Sequence, residues 1–282
     1  MSTAPHDPTT QPRHAPSVAN ATRPPGDVVC VVDGHVATIT LRNEGRFNAM
    51  ALDMWRALAQ TLERLRADDN VRAVLLRGDG DKAFVSGADI SEFGAQRNDV
   101  ASVQSYDRAV KAAQDGIIGF PRPVVAAISG ICYGGGLGLA LSCDLRYCAP
   151  NARFRMPAAR LGLGYSLDGV QRMVDVLGVA RASELFYAAP VVDAQTAASI
   201  GLVNAVRDDV FGWTASLAAD IASNAPLTVA AAKLAFNTVL GGSAPSSVSA
   251  VEAALQACFS SRDYAEGRAA FAEKRSPRFT GE

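Results

Sequence analysis

The chain has 282 residues, of which 49% are hydrophobic and 20% charged, and its formal net charge is -1. This length is sufficient for one large buried core, and the near-zero charge excludes the basic field typical of proteins that bind nucleic acids or anionic membranes. Apolar runs stay below the length that a membrane-spanning helix needs.

Residues 1–26 differ in composition from the rest of the chain. They are rich in Pro, Thr, Ala and Ser and contain two of the three histidines, His6 and His14. The segment has no apolar stretch of the kind found in secretory signals. We therefore predict a disordered N-terminal tail over residues 1–26, because such a composition buries too little apolar surface to fold.

The first predicted elements are a β-hairpin and a helix. Two β-rich runs, 28–32 and 35–41, are joined by Asp33 and Gly34, a dipeptide typical of a two-residue hairpin turn. Residues 51–67 then repeat apolar side chains at helical spacing, which predicts an amphipathic helix.

A recurring pattern of strands, glycine-containing turns and helices follows the first helix. Strands are predicted over 72–77, 124–129 and 144–148, and a helix is predicted to begin near Gly135. After Asp168 the pattern is mainly helical. Helix starts are predicted at Asp168, Asp193 and Pro226, and helix ends at Gly178 and at 241–242. Residues 215–236 are rich in Ala and Leu, which favours a helical layer that docks on a neighbouring subunit.

Two glycine-containing turns carry the candidate chemistry. Residues 84–90 read Phe-Val-Ser-Gly-Ala-Asp-Ile, and residues 133–137 read Tyr-Gly-Gly-Gly-Leu. Each stretch is predicted to join a strand to a helix, so that the backbone N–H groups of Ala88 and Gly135 can point at one oxygen atom. Paired donors of this kind stabilise an oxyanion or an enolate. Either turn alone is equally well explained as a simple connection.

Further motifs around these turns resemble those of the crotonase family, the enoyl-CoA hydratases and isomerases. The resemblance extends from about residue 28 to residue 281 and includes the segments 41–49, 127–136, 143–146, 154–157, 171–172, 200–204 and 266–275. It implies an α/β fold made of a spiral of strand–strand–helix turns, with a C-terminal helical trimerisation region. We accordingly divide the chain into the tail, a spiral core with an acyl-CoA site over 27–210, and a helical oligomerisation region over 211–282.

The resemblance also implies a partner, a substrate class and binding residues. The substrate is an acyl-CoA thioester, so that coenzyme A is part of the substrate and no cofactor is tightly bound. The assembly is a homotrimer or a dimer of trimers. The implied coenzyme A-binding residues lie in three segments: Arg46, Asn48 and Ala49; Ala88, Asp89 and Ile90; and Lys274 and Phe279. The third segment, with Phe271 as a further candidate, is expected to reach coenzyme A from an adjacent subunit.

The chain departs from the family pattern at the acid and base. A hydratase of this family uses two glutamates, and by the resemblance these positions are Gly138 and Ala158, neither of which can move a proton. Replacement groups are sought in the loop 160–169, where the polar candidates are Tyr165, Ser166 and Asp168. Asp168 is either a surviving base or a helix N-cap.

Other catalytic classes find less support. His35 is the only histidine after the tail, so a Ser-His-Asp hydrolase is disfavoured. The five cysteines show no metal-binding spacing and favour reduced thiols in a cytoplasmic protein, and Cys132 is interpreted as a packing residue. Three hypotheses remain: a lyase or isomerase with a non-standard base, a catalytically weak acyl-CoA binding protein, and an anion-assisted carbon–carbon bond enzyme.

Overall fold

A computed structural model describes residues 26–89, 100–241 and 244–282. The predicted tail therefore lies outside the described residues except for Gly26. Strands β1 (Asp27–Asp33) and β2 (Val36–Arg42) pair antiparallel across the Asp33–Gly34 turn, and α1 spans Leu52–Arg66. The predicted hairpin and first helix are confirmed. Alternate side chains of β2 are buried, and α1 buries the residues of one helical face, as the two periodicities predict.

The described strands form two sheets, and from β3 to β8 the chain alternates between them. The described strands that follow are β3 (Ala73–Gly78), β4 (Ala83–Val85), β5 (Val124–Ile128), β6 (Ile131–Tyr133), β7 (Leu145–Cys148), β8 (Arg153–Arg155), β9 (Val192–Asp193) and β10 (Ala205–Val206). One sheet has the order β1-β2-β3-β5-β7-β10 and the other the order β4-β6-β8-β9. Each successive pair, such as β5 and β6, gives one strand to each sheet, which is the predicted strand–strand recurrence.

Helices follow these strand pairs and form the C-terminal third. Their ranges are α2 (Val100–Ile118), α3 (Gly135–Ser142), α4 (Leu167–Tyr187), α5 (Ala194–Ser199), α6 (Val210–Ser223), α7 (Pro226–Leu240), α8 (Pro245–Ser260) and α9 (Arg262–Glu273). Asp193 caps α5 by accepting the Thr196 N–H at 2.8 Å, and Pro226 opens α7, as predicted. Across the described ranges, every helix is too short or too polar to span a membrane.

The predicted start of α4 needs correction. The N-cap of α4 is Ser166 and not Asp168, since the Ser166 Oγ accepts the Gly169 N–H at 3.2 Å. Asp168 lies in the first turn of α4, where a carboxylate interacts favourably with the helix dipole. Gly178, with the non-helical angles φ 71° and ψ 161°, ends the first helical part of α4 as predicted, and a second helical part continues to Tyr187.

The core that supports the site is built from α1 and the strands it covers. Trp55, Leu58 and Leu62 on one face of α1 are fully buried, as are Phe84 of β4 and Phe154 of β8. Large apolar side chains buried to this degree each contribute on the order of 1.5–3 kcal/mol. This packing fixes the ends of β4 and β6, from which both glycine turns start.

Candidate active site

The two glycine turns are in direct contact. Strands β4 and β6 are parallel neighbours, with Val85 opposite Cys132. A Cβ atom on Gly136 would lie 2.3 Å from the carbonyl oxygen of Val85, so only glycine fits at that position. A Cβ atom on Gly87, which has φ 125°, would lie 3.6 Å from the carbonyl oxygen of Tyr133. The segments that follow β4 and β6 therefore meet at their backbones.

The hydrogen bonds of Met50 orient the backbone at Ala88. The Met50 N–H donates to the Gly87 carbonyl at 2.8 Å, and the Asp89 N–H donates to the Met50 carbonyl at 3.0 Å. In a parallel bridge of this kind the N–H of the central residue points to the opposite side. The Ala88 N–H consequently points away from Met50. It has no acceptor within the part of the chain that the structure describes.

Gly135 supplies a second backbone donor, which has no acceptor among the residues that the structure describes. It is the first residue of α3, where a backbone N–H has no intrahelical partner and lies at the positive end of the helix dipole. The preceding Gly134 has φ 52°, and its N–H donates to the Arg155 carbonyl at 2.9 Å, which holds the turn against β8. The Trp55 ring approaches within 3.3 Å of the Cβ position of Gly135 and forms an apolar wall.

Gly138 and Ala158, the two positions that the resemblance assigns to glutamates, carry no carboxylate. Gly138 is buried in α3, and its Cβ position lies 2.9 Å from the Nε2 atom of Gln114 and 3.3 Å from the hydroxyl oxygen of Tyr165. Ala158 is buried at the start of a short 3₁₀ helix, Ala158–Leu161, and the neighbouring Pro157 ring packs at the Gly134 turn. Gln114 and Tyr165 thus border the space over Gly138.

Tyr165 is held in place by packing and remains a neutral phenol. Its ring lies 5.5 Å from the Phe186 ring, edge to face, and rests on Gly169, whose Cβ position is 2.5 Å from the Tyr165 ring. Burial raises the pKa of Tyr165 to about 12. At neutral pH its hydroxyl can therefore donate a hydrogen bond but does not act as a base.

Asp168 belongs to a chain of charges that joins α2 to α4. Its carboxylate is paired with Lys111, which also lies 3.1 Å from Asp115, and Asp115 lies 3.1 Å from Arg172. The hydrogen bond from Lys111 holds the pKa of Asp168 below its usual value. Asp168 is consequently ionised at neutral pH and exposed to solvent.

The segment predicted to cover coenzyme A is tied to the Ala88 turn. Arg46 pairs with both carboxylate oxygens of Asp89 at 2.6 Å, and the Ala49 carbonyl accepts a bond from Asn43 at 2.7 Å. The buried Asn48 side chain donates to the carbonyls of Asp79 and Ala83. The amide of Asn48 therefore stabilises the loop itself. Ile90 lies outside the described residues.

The C-terminal candidates lie in a different part of the fold. Lys274 is exposed at the end of α9 with φ 54°, and Phe279 lines an apolar groove of about 730 Å³ together with Phe259 and Phe271. Helix α9 packs mainly on α8, away from the elements that carry the glycine turns. The prediction that Lys274 and Phe279 reach coenzyme A from an adjacent subunit stays a prediction.

Sequence reasoning missed Gln114 and Lys111 and did not foresee the position of Trp55. Gln114 stands beside the buried Ala113 and near the buried Ile117, so a polar residue within an apolar helix stripe was the available signal.

Cys132 is fully buried, and burial raises the pKa of its thiol well above the usual value. Both observations agree with its interpretation as a packing residue.

Solved structures with the same arrangement define the fold class. A crystal structure of an enoyl-CoA hydratase/carnithine racemase from Magnetospirillum magneticum matches with a TM-score of 0.83 and 40% identity, covering 90% of this chain and 96% of that one. An enoyl-CoA hydratase from Bacillus anthracis matches with a TM-score of 0.85 and 31% identity, covering 90% and 99%. The α/β architecture is the crotonase fold.

Sequence comparison agrees with the fold. The family described as enoyl-CoA hydratase/isomerase matches residues 32–282. The short-chain-enoyl-CoA hydratase of Clostridium acetobutylicum is 32% identical over 260 residues, covering 88% of this chain and 95% of that protein. The chain belongs to the enoyl-CoA hydratase/isomerase family.

Proposed function

We propose that the protein binds an acyl-CoA thioester whose carbonyl oxygen accepts hydrogen bonds from the backbone N–H groups of Ala88 and Gly135. The observation that carries the proposal is the contact between the two glycine turns, each of which presents an N–H that has no acceptor in the described part of the chain. The helix dipole of α3 adds positive potential at Gly135. Together these groups favour the negative charge that an enolate places on the thioester oxygen.

The acid and base of this reaction are non-standard. Gly138 and Ala158 replace the two glutamates that the resemblance implies, and loss of general acid–base catalysis typically costs about 10²–10⁴-fold in rate. Among the loop candidates, Asp168 is ionised and able to accept a proton, Tyr165 is a neutral donor, and Ser166 is engaged as a helix cap. We assign the protein as a lyase or isomerase of CoA thioesters that uses Asp168 as base.

A catalytically weak acyl-CoA binding protein is the second candidate. The neutral character of Gln114 and Tyr165 over Gly138 supports it, because neither side chain transfers protons readily near neutral pH. An anion-assisted carbon–carbon bond enzyme is the third. Mass spectrometry on a panel of CoA thioesters, with and without added bicarbonate, separates the three candidates. Turnover without bicarbonate indicates the lyase or isomerase, and turnover only with bicarbonate indicates the anion-assisted enzyme. The absence of turnover indicates the binding protein.

The remaining parts of the thioester are assigned by the same resemblance. The loop at Arg46, Asn48 and Ala49 and the backbone at 88–90 cover the pantetheine, phosphates and adenine, and Lys274 and Phe279 complete the site from a neighbouring copy. A site shared between copies agrees with a homotrimer or a dimer of trimers, and we also propose a cytoplasmic location. Light scattering coupled to size exclusion measures the assembly, and a monomer that binds acyl-CoA with full affinity contradicts the shared site.

Substitutions at Gly135 test the oxyanion hole. Proline is tolerated at the first position of a helix and removes only the backbone N–H, so Gly135→Pro deletes one donor. Gly135→Ala is the matched control, because it adds the same contact with Trp55 but keeps the N–H. The ligands are butanoyl-CoA and its thioether analogue S-butyl-CoA, which lacks the carbonyl oxygen.

We expect the wild-type protein and Gly135→Ala to bind the thioester more tightly than the thioether, and Gly135→Pro to lose this preference. For any substrate that is turned over, loss of one donor lowers kcat about 10²–10³-fold. Equal affinity of the wild-type protein for thioester and thioether contradicts the proposed hole.

A further inference from the structure

Two polar side chains border the space over Gly138 and have unused hydrogen-bonding capacity. Gln114 Nε2 and the Tyr165 hydroxyl lie 2.9 Å and 3.3 Å from the same point, the Cβ position of Gly138. Neither group has a hydrogen-bond partner among the residues that the structure describes, and both side chains are half-buried. The polar atoms of neither residue are among the fully buried unpaired ones, so a water molecule or a ligand can reach this pair.

The position of this pair relative to the proposed thioester site follows from helix geometry. Gly138 is three residues after Gly135 on α3, so the two residues face the same side at a separation of roughly 5–6 Å. In the proposed complex, the acyl group lies along this face with its carbonyl oxygen at the Gly135 N–H. Its β carbon, two bonds from the carbonyl carbon, comes next to the space over Gly138.

The chemistry of the pair selects an acceptor. The amide nitrogen of Gln114 and the neutral hydroxyl of Tyr165 are both donors, and a carbonyl oxygen has two lone pairs with which to accept from both. The ion pairs Lys111–Asp168 and Asp115–Arg172 link α2, which carries Gln114, to α4, which begins just after Tyr165. The two donors therefore lie on elements that also contact each other through charged side chains.

We propose that Gln114 and Tyr165 are specificity-determining residues that bind a carbonyl oxygen on the β carbon of the acyl group, which makes 3-oxoacyl-CoA thioesters the preferred ligand class. This inference rests on the proposed acyl-CoA site. The enolate of such a thioester spreads its charge over two oxygens, one at the backbone donors and one at the side-chain donors. A site without glutamates at 138 and 158 suits this ligand, because the C2 proton between two carbonyls is already acidic.

Isothermal titration calorimetry with three ligands of equal chain length tests the proposal. The ligands are acetoacetyl-CoA, 3-hydroxybutanoyl-CoA and butanoyl-CoA. The variants Gln114→Met and Tyr165→Phe remove one donor each with little change in volume. Gln195→Met and Tyr187→Phe, at exposed positions of α5 and α4, are the matched controls. A melting curve for each variant establishes that it is folded.

We expect the wild-type protein and both controls to bind acetoacetyl-CoA about 5–30-fold more tightly than butanoyl-CoA, with 3-hydroxybutanoyl-CoA between them, as one or two net hydrogen bonds provide. Each test variant should lose about fivefold of this preference while its affinity for butanoyl-CoA is unchanged. Equal binding of acetoacetyl-CoA and butanoyl-CoA, or tightest binding of the hydroxy ligand, overturns the inference and leaves the acyl-CoA proposal standing. Binding of none of the three overturns both.

Discussion

The Asp168 carboxylate is ion-paired with the Lys111 ammonium group across the gap between α4 and α2. The side chain of Asp168 is 55% exposed, so solvent screens the pair and its contribution to stability is small. The hydrogen bond from Lys111 lowers the pKa of Asp168. The pairing therefore favours the ionised carboxylate and links it to the helix that carries Gln114.

Asp168→Asn tests the assignment of Asp168 as base. The amide keeps the shape of the side chain but accepts no proton, so turnover should fall by about 10²–10⁴-fold while acyl-CoA affinity is unchanged. The measurement is a steady-state rate on the substrate identified from the thioester panel. Full activity of Asp168→Asn removes Asp168 from the mechanism and leaves Tyr165, Ser166 or a bound anion as the candidate groups.

The pH profile gives a second test of Asp168. A base must be ionised, so activity falls as the pH drops through its pKa, which Lys111 holds below the ordinary value. Lys111→Gln removes the positive charge and raises that pKa, so the acidic limb of the rate profile should move to higher pH. Arg56→Gln, at an exposed arginine of α1, is a control for the loss of one positive charge. An acidic limb that does not move contradicts the role of Asp168.

Ser166→Ala should destabilise the protein by about 0.5–2 kcal/mol, because the Ser166 hydroxyl caps α4 through the Gly169 N–H. Asp168→Ala should cost less, since it removes only an exposed ion pair and a favourable dipole interaction. Urea denaturation of both variants, followed by circular dichroism, measures the two free energies of unfolding. A larger loss for Asp168→Ala contradicts the assignment of Ser166 as the cap.

Hydration of crotonyl-CoA should be at least about 10²-fold slower than by an ordinary hydratase in the same assay, because Gly138 and Ala158 cannot activate water. Gly138→Glu alone should not restore activity and should lower Tm, because it places a carboxylate at a buried position. Gly164→Glu is the matched control for stability, as a Cβ there meets no atom within 4 Å. Rapid hydration by the wild-type protein contradicts the absence of a water-activating pair.

Glu266 should make the C-terminal segment sensitive to acid. The hydrogen bond from Arg275 lowers the pKa of Glu266 from 4.5 to about 2, and the Arg278 N–H adds to the effect. A depressed carboxylate pKa gives stability that is present above pH 4.5 and is lost as the pH falls toward about 2. We expect the decrease in Tm over this window to be smaller in Glu266→Gln than in the wild-type protein. Identical pH dependence contradicts this linkage.

Much of the fold could be predicted from the sequence because its signals are local. The Asp33–Gly34 hairpin, the apolar face of α1 and the starts of α5 and α7 depend on residues within one or two turns of each other. The glycines at 87 and 134 to 136 also marked the two turns in the sequence, because a backbone that approaches another backbone excludes a side chain. These motifs were also sufficient to identify the family.

Only the tertiary structure decided which groups surround Gly138. Ser166 and Asp168 are both good N-cap residues, and the choice between them depended on the Gly169 N–H and on Lys111, which lies 57 residues away from Asp168. Gln114 reaches the same space as Tyr165 only because α2 packs beside α3 and α4. Contacts between distant segments depend on the packing of whole helices, and no periodicity within one segment encodes them.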